Sequence, residues 1–421
     1  MNMIPRFLVR SGTVAAMLAV IISGWSNVSA RTTASKVTLT YWNGYTGPNR
    51  PAMEALVKKF NAGHPNIQIQ MTITPWDSLL QKLPSALASG SGPDLMGIDF
   101  TYLPQYAQSG YIKNLSPAYS SGALTSSIFP KGLVKVLKYN GEFYGAPIDF
   151  NPLMMYYNKD LFRKAGLNPN KPPTTWSQWI TDIKRLTKHG GGQDQYGIAL
   201  GVHDTIPNWP ILMWGEGGDV IMNGKPALTD PKTVKALTTW SNLVKTDKVS
   251  PLNLAGADAD KLFQTGKAAT EITGPWATSG YTQAKVNYDV APVPAGPAGP
   301  VTLADSNLMM INAKTKNSAA AIEFMRFWNS KSSQTYFAVH SGSPPDRVDL
   351  VHNPRLRANK WVPKFASVLS TGRFYLPGQT KYTQIDTDIV VPLVQQIIYG
   401  RMSVSQATKQ YNQQLAQLLR K

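Results

Sequence analysis

The sequence predicts an α/β protein of two domains, and three observations carry that prediction. Short β-rich runs alternate with helical patterns from residue 37 onward, an order that builds a largely parallel sheet flanked by helices. The same alternation begins afresh near residue 153. A length of 421 residues, with 43% apolar against 16% charged, is enough for two domains with buried cores.

The first stretch opens with a strand over 37–41. Met53, Leu56, Val57 and Phe60 follow at helical spacing, so a helix lies there. Residues 67–74 alternate apolar and polar side chains, the pattern of a half-buried strand. A helix over 79–88 is disturbed at Pro84, a third strand covers 95–98, and a third helix 101–109.

The second stretch reads as a strand over 153–157, then a helix over 159–165 stopped at Gly166. Thr175 is placed to cap the next helix, on which Trp176, Trp179, Ile180 and Ile183 share a face. Asp230-Pro231 is a cap followed by an N1 proline, the order of a helix start. Strands are expected over 197–200, 269–273 and 307–311, and Ser318 as the cap of a helix carrying Ala321, Met325 and Trp328. The proline- and glycine-rich run 291–300 fits neither helix nor central strand and reads as a surface loop. Two helical patterns close the chain, one on Ile389, Leu393 and Ile397, the other on Ala407, Tyr411, Leu415 and Leu418.

Residues 1–30 stand apart. Arg6 and Arg10 precede a nine-residue apolar run over 14–22, and Val28-Ser29-Ala30 offers small residues before a cut ahead of Arg31. That order matches a secretory signal, and the run is too short to span a bilayer, as the alternative of a membrane anchor would require. With no cysteine after the run there is no lipid-attachment site. The expectation is an exported protein, periplasmic or extracellular, and not lipid-anchored.

Zero cysteines exclude disulfides, thiolate catalysis and cysteine-ligated metal centres. The 42 Lys and Arg exceed the 24 Asp and Glu, for a net charge of +18. They are spread along the chain, with only small clusters such as Lys58-Lys59 and Lys184-Arg185. A solvated basic surface accounts for them without nucleic acid. The histidines His64, His189, His203, His340 and His352 never fall three to five residues apart, so no helical pair of metal ligands arises. There is no G-x-S-x-G elbow and no phosphate-binding glycine loop. A glycosidase needs two carboxylates across one bond. Asp94, Asp99, Asp149, Glu216 and Asp305 are available, but nothing in their spacing pairs them, and Asp94 after Pro93 has a structural alternative.

What stands out is aromatics beside acids and amides at strand ends. A sugar offers apolar C–H faces for aromatic rings and hydroxyls for carboxylates and amides, and ligands of open α/β sheets sit at the carboxyl ends of strands. Trp42-Asn43, Trp76, Asp99, Asp149, Trp214 with Glu216, Trp276 and Asn307 fit this description. Trp176, Trp179, Trp240 and Trp328 lie in helical patterns and read as core. Trp42, Trp76, Trp214 and Trp276 read as loop residues, for which binding and packing are both open.

At these residues the sequence resembles the extracellular solute-binding proteins of ABC importers, in the cluster that binds maltose, other sugars and glycerol 3-phosphate. The likeness runs through Thr40-Tyr41-Trp42-Asn43-Gly44, Gly92-Pro93-Asp94-Leu95, Tyr144-Gly145-Ala146-Pro147, Tyr156-Tyr157-Asn158-Lys159-Asp160-Leu161-Phe162, Pro172-Pro173-Thr174-Thr175-Trp176 and Gly274-Pro275-Trp276. The resemblance implies a two-lobed periplasmic-binding-protein fold of type II, each lobe a mainly parallel sheet flanked by helices and joined by a hinge. It implies discontinuous lobes, 31–147 with 277–330 and 148–276 with 331–421. It places Trp42, Asn43, Trp76, Asp99, Asp149, Trp214, Trp276 and Asn307 at the cleft, with Trp214 and Trp276 as stacking platforms and Asp99 and Asp149 as hydroxyl acceptors. It also implies a carbohydrate ligand, a membrane permease as partner, a monomer, no cofactor and no catalysis. Two alternatives accompany it: a glycerophosphodiester or glycerol 3-phosphate ligand, for which Arg373 is the candidate partner, and a secreted carbohydrate-active enzyme.

Overall fold

The computed structural model describes residues 36–46, 49–120, 122–190, 194–203 and 206–420. The expected export signal, 1–30, lies outside them. Its first sheet has the strand order Ile67–Ile73, Val37–Asn43, Leu95–Asp99, Asn307–Ile311, Ala146–Pro147. The first three strands run parallel, and Asn307–Ile311 returns antiparallel between Leu95–Asp99 and Ala146–Pro147. Parallel neighbours need a crossover, here the helix Arg50–Gly63, which buries Ala52, Met53, Leu56, Val57 and Phe60 against the sheet. The second crossover helix, Trp76–Ser89, runs through Pro84 without a break and ends at Gly90, whose φ of 83° only glycine adopts freely. Asp94 is structural. Its carboxylate accepts from Thr40 N and Oγ1, both at 2.9 Å, and from Thr315 Oγ1 at 2.5 Å.

The second region is built on the strand Met154–Asn158, all of whose residues are buried. Thr270–Thr273 and Tyr288–Ala291 flank it, both antiparallel. Parallel contacts extend the layer outward, as bridges from Tyr196 to Ala268 and Ala199 to Glu271 and as the pair Leu254–Ala255 with Gly201–His203. This layer is therefore mixed rather than mainly parallel. The chain re-enters beside Met154–Asn158 from the opposite end after 285, and that return forces the antiparallel pairing.

Two large apolar clusters sit behind these layers. One gathers Leu39, Phe60, Leu95, Phe150, Met309 and Trp328; the other gathers Met155, Trp179, Trp240, Leu303, Ile397 and Leu415. Between them the chain passes three times: Asn151–Pro152 runs antiparallel to Ala304–Asp305, and a third passage lies between Phe374 of the first cluster and Tyr375 of the second. Ser306 Oγ donates to the Asp149 carbonyl at 2.6 Å. The adjacent pair Thr302–Leu303 also runs parallel to Gly372–Arg373.

Local expectations mostly hold. Thr175 Oγ1 accepts from Gln178 N, and Asp230 accepts from Lys232 N and Thr233 N. Trp176 and Trp179 pack on Trp240 in the core. The expected strand 197–200 holds only an isolated bridge at Ala199, with the strand itself at Gly201–His203. The helix expected over 101–109 is a 3₁₀ turn, Phe100–Tyr102, followed by Leu103–Gln108. Ser318 is the first helical residue, and Asn317 precedes it as the cap position without a side-chain bond. Trp42 lies in a strand, and Trp76 and Trp214 lie in helices, not loops. Among the described residues no helix is long and apolar enough to cross a membrane.

Candidate functional site

A cavity of about 630 Å³ opens where the strand ends of the first sheet meet the second region, a size ordinary for a small-molecule site. One wall carries Tyr45, Trp76, Asp99, Asp149, Asp305 and Asn307. The facing wall carries Asn208, Asp260, Glu271, Thr273 and Trp276, and Asn151 and Leu153 from the first crossing complete it.

Both indoles are seated against glycines. A Cβ on Gly44 would stand 2.0 Å from the Trp76 ring, and one on Gly274 would stand 2.0 Å from the Trp276 ring. Tyr45 meets Trp76 edge to face at 5.5 Å between centroids and donates its hydroxyl to Asp149 Oδ2 at 2.6 Å. Asn43, fully buried, holds that turn by accepting from Tyr45 N at 3.2 Å.

The electrostatics are one-sided. Asp149 is 1% exposed and also accepts from Asn307 N at 2.8 Å. Burial raises its pKa, and the donors from Asn307, Tyr45 and Asn151 pull against that. Asp99 spends one oxygen on Thr101 N at 2.9 Å and on the Thr101 hydroxyl. Asp305 lies beside it, and burial followed by the negative charge of Asp99 and Asp149 pushes Asp305 well above the usual carboxylate range. The facing wall repeats the arrangement. Glu271, 2% exposed, accepts from Tyr281 and is pushed well up by burial and then by Asp260; Tyr281 also reaches Asp260 at 3.1 Å. No Lys, Arg or His is among the described residues lining the cavity. Asn151 Oδ1 and Asn208 Oδ1 are buried with no protein hydrogen-bond partner. Such a surface offers carboxylates that accept from a ligand, carboxylic acids that can also donate, and two flat rings. No cluster of His, Asp or Glu among the described residues is arranged to hold a metal.

Of the residues expected at the cleft, Trp76, Asp99, Asp149, Trp276 and Asn307 line this cavity together. Four lie elsewhere. Trp42 packs against the first core and Asn43 is enclosed behind Tyr45. Trp214 is 3% exposed, its Nε1 donates to Asp219 Oδ1 at 2.9 Å, and the Arg373 guanidinium sits 4.6 Å over its ring. Arg373 in turn pairs with Asp219, which leaves it outside the cavity. Glu216 is buried and paired with Lys235. The helix Trp209–Glu216 is buried along its whole length, so neither Trp214 nor Glu216 has a free face. Sequence reasoning missed Tyr45, Asn151, Asn208, Asp260 and Glu271. A signal existed for Glu271, a lone carboxylate inside the β-run Thr270-Glu271-Ile272-Thr273. None marked Asn208 or Asp260.

Residues 44–335 match the family described as bacterial extracellular solute-binding protein. A protein of Brucella abortus named as a binding protein is 27% identical over 362 residues, 82% of this chain and 85% of the relative. Among solved structures, an ABC transporter solute-binding protein of Thermotoga lettingae bound with α-D-tagatose superposes with a TM-score of 0.80 at 23% identity, covering 91% of this chain and all of that one. UgpB of Mycobacterium tuberculosis, in complex with glycerophosphocholine, superposes equally well at 0.80 with 21% identity, covering 91% and 98%. At those identities the likeness carries the fold.

Proposed function

This chain belongs to the bacterial extracellular solute-binding proteins, and we propose that its cavity captures a mono- or oligosaccharide, unchanged, for delivery to the permease of an ABC importer. The observation that carries the reading is the joint presence of Trp76 and Trp276 with Asp99, Asp149, Asp305, Asp260 and Glu271 around one space. Indole faces suit the C–H faces of a pyranose, and carboxylates and amide oxygens accept from its hydroxyls. Export as a monomer belongs to the same reading.

The walls come from the two sides of the crossings, so capture is coupled to hinge closure about 147–153, 303–307 and 372–375. The two cores support lobes divided near those crossings, 36–150 with 304–341 and 366–374 on one side and 151–303 with 375–420 on the other. That division departs from the 277–330 and 331–421 boundaries implied by resemblance, because Ala291, Val293 and Leu303 pack with Trp240 while Phe337 packs with Trp328.

A glycerophosphodiester ligand is disfavoured. A buried phosphate needs a cation or a set of donors, and the described cavity lining presents five carboxyl groups and no basic side chain. The test is calorimetry against a panel of sugars and glycerophosphodiesters, followed by recovery of the bound compound. Saturable binding of one sugar class and its recovery intact is the expected result. Turnover of the sugar, or binding of phosphodiesters alone, overturns the reading.

A further inference from the structure

Taking the cavity as the sugar site just proposed, we infer that Tyr45 is a positioning residue: its ring sets the Trp76 indole as a stacking platform, and its hydroxyl ties that platform to Asp149 at the edge of the first crossing. Asp149 then anchors the wall, and the other carboxyls are left for the ligand.

Trp76 is half-buried and opens the helix Trp76–Ser89, with Pro75 before it and no side-chain bond at the cap. The helix start therefore does not orient the indole; the turn Asn43-Gly44-Tyr45 does. Gly44 leaves the space that the ring fills, and Tyr45 meets it edge on, with ring planes 63° apart and centroids 5.5 Å apart. Such a contact favours one ring orientation over others. Tyr45, 5% exposed, is itself held at both ends, its N–H donating to Asn43 Oδ1 at 3.2 Å and its hydroxyl to Asp149 Oδ2 at 2.6 Å.

Asp149 has the partners of an anchor. It is 1% exposed, and both oxygens are taken by protein donors, Oδ2 by Tyr45 and Oδ1 by Asn307 N at 2.8 Å. Its carbonyl accepts from the Ser306 hydroxyl at 2.6 Å. These partners come from the turn after the first strand and from the return crossing, so one residue joins three segments. A ligand hydroxyl would have to displace a bond to a buried carboxyl group, an expensive exchange. Asp99 differs, since its bonds to Thr101 use a single oxygen.

Fluorine NMR of the full chain, labelled with fluorinated tryptophan, reads the indole without any ligand. The Trp76 line is assigned by its loss in Trp76→Phe. Tyr45→Phe, which keeps the ring, and Asp149→Asn, which keeps Tyr45 intact, should each shift or broaden that line while the Trp214 line stays in place. If both variants leave the Trp76 line unchanged, the inference is overturned; should Tyr45→Phe not fold, the line in Asp149→Asn decides. Calorimetry with maltose, cellobiose and tagatose as probes adds a double-mutant cycle. For a probe that binds, Tyr45→Phe should weaken affinity about tenfold in the otherwise unaltered chain and less than about twofold beside Trp76→Ala. An equal loss in both backgrounds would mean that Tyr45 grips the ligand itself, and the positioning role is overturned. If none of the probes binds, the sugar reading fails, and the positioning role stands or falls on the fluorine line alone.

Discussion

The indole of Trp276 rests so closely over Gly274 that a methyl group on that glycine would stand 2.0 Å from ring carbon Cζ3. The ring position is thus set by the absence of a side chain two residues upstream. Gly274→Ala should push the indole out of the cavity and weaken ligand binding about tenfold or more, equivalent to roughly 1.4 kcal/mol. Overpacking at the same place should cost about 1–3 kcal/mol of stability. Calorimetry and denaturant unfolding of the same protein separate the two effects. Gly44→Ala, beneath Trp76, should behave alike.

Trp276→Ala and Trp214→Ala should differ in kind. Trp276 lines the cavity half-buried, so its loss is read in affinity. Trp214 is enclosed and bonded to Asp219, so its removal should cost about 3–5 kcal/mol of stability while the folded fraction binds ligand as before. Strong loss of affinity in folded Trp214→Ala would place the site elsewhere.

Stability of the ligand-free protein should fall as pH rises from about 4 through 6. A carboxyl whose folded pKa lies above its unfolded value contributes stability that is full below the unfolded value, near 4, and is lost as pH climbs through the folded one. Burial raises Asp386 to about 6 and places Glu271, Asp305 and Asp346 well above the usual range. Asp386→Asn should remove the part of the slope between about pH 4 and 6 and stabilise the protein at pH 7 by up to about 3 kcal/mol. Asp349 works in the opposite sense: the Arg347 guanidinium holds it to about 2, so its contribution is present above pH 4 and lost as pH falls toward 2. Thermal unfolding across the pH series tests both signs.

Asp94→Ala should cost about 2–4 kcal/mol, because its carboxylate is the shared acceptor of Thr40 and Thr315. It lines no part of the cavity, so ligand affinity measured on the folded protein should be unchanged. A selective loss of binding would show that the strand end it anchors also sets the cavity wall.

Much of this was legible one element at a time. The helix that Asp230 opens, the capping role of Thr175 and the burial of Trp179, Trp240 and Trp328 follow from local chemistry and spacing, and the structure agrees. Single-element reasoning failed where a neighbour in space decides. Trp214, beside a glycine turn, looks free in sequence, but its helix is covered on every side. Glu271 stands out as a lone carboxylate in its strand, but only Tyr281 and Asp260 against it show the company it keeps.

The sequence by itself determined the α/β class, the order of elements and the residue types suited to a sugar, because periodicity, caps and composition act within a few residues of chain. Which of those residues share a space was decided only in three dimensions. The pairing of Asn151–Pro152 with Ala304–Asp305 and the bond from Asn307 N to Asp149 bring distant segments to one place. That register is fixed by burial on both sides of the crossing, an energy no short stretch of sequence contains.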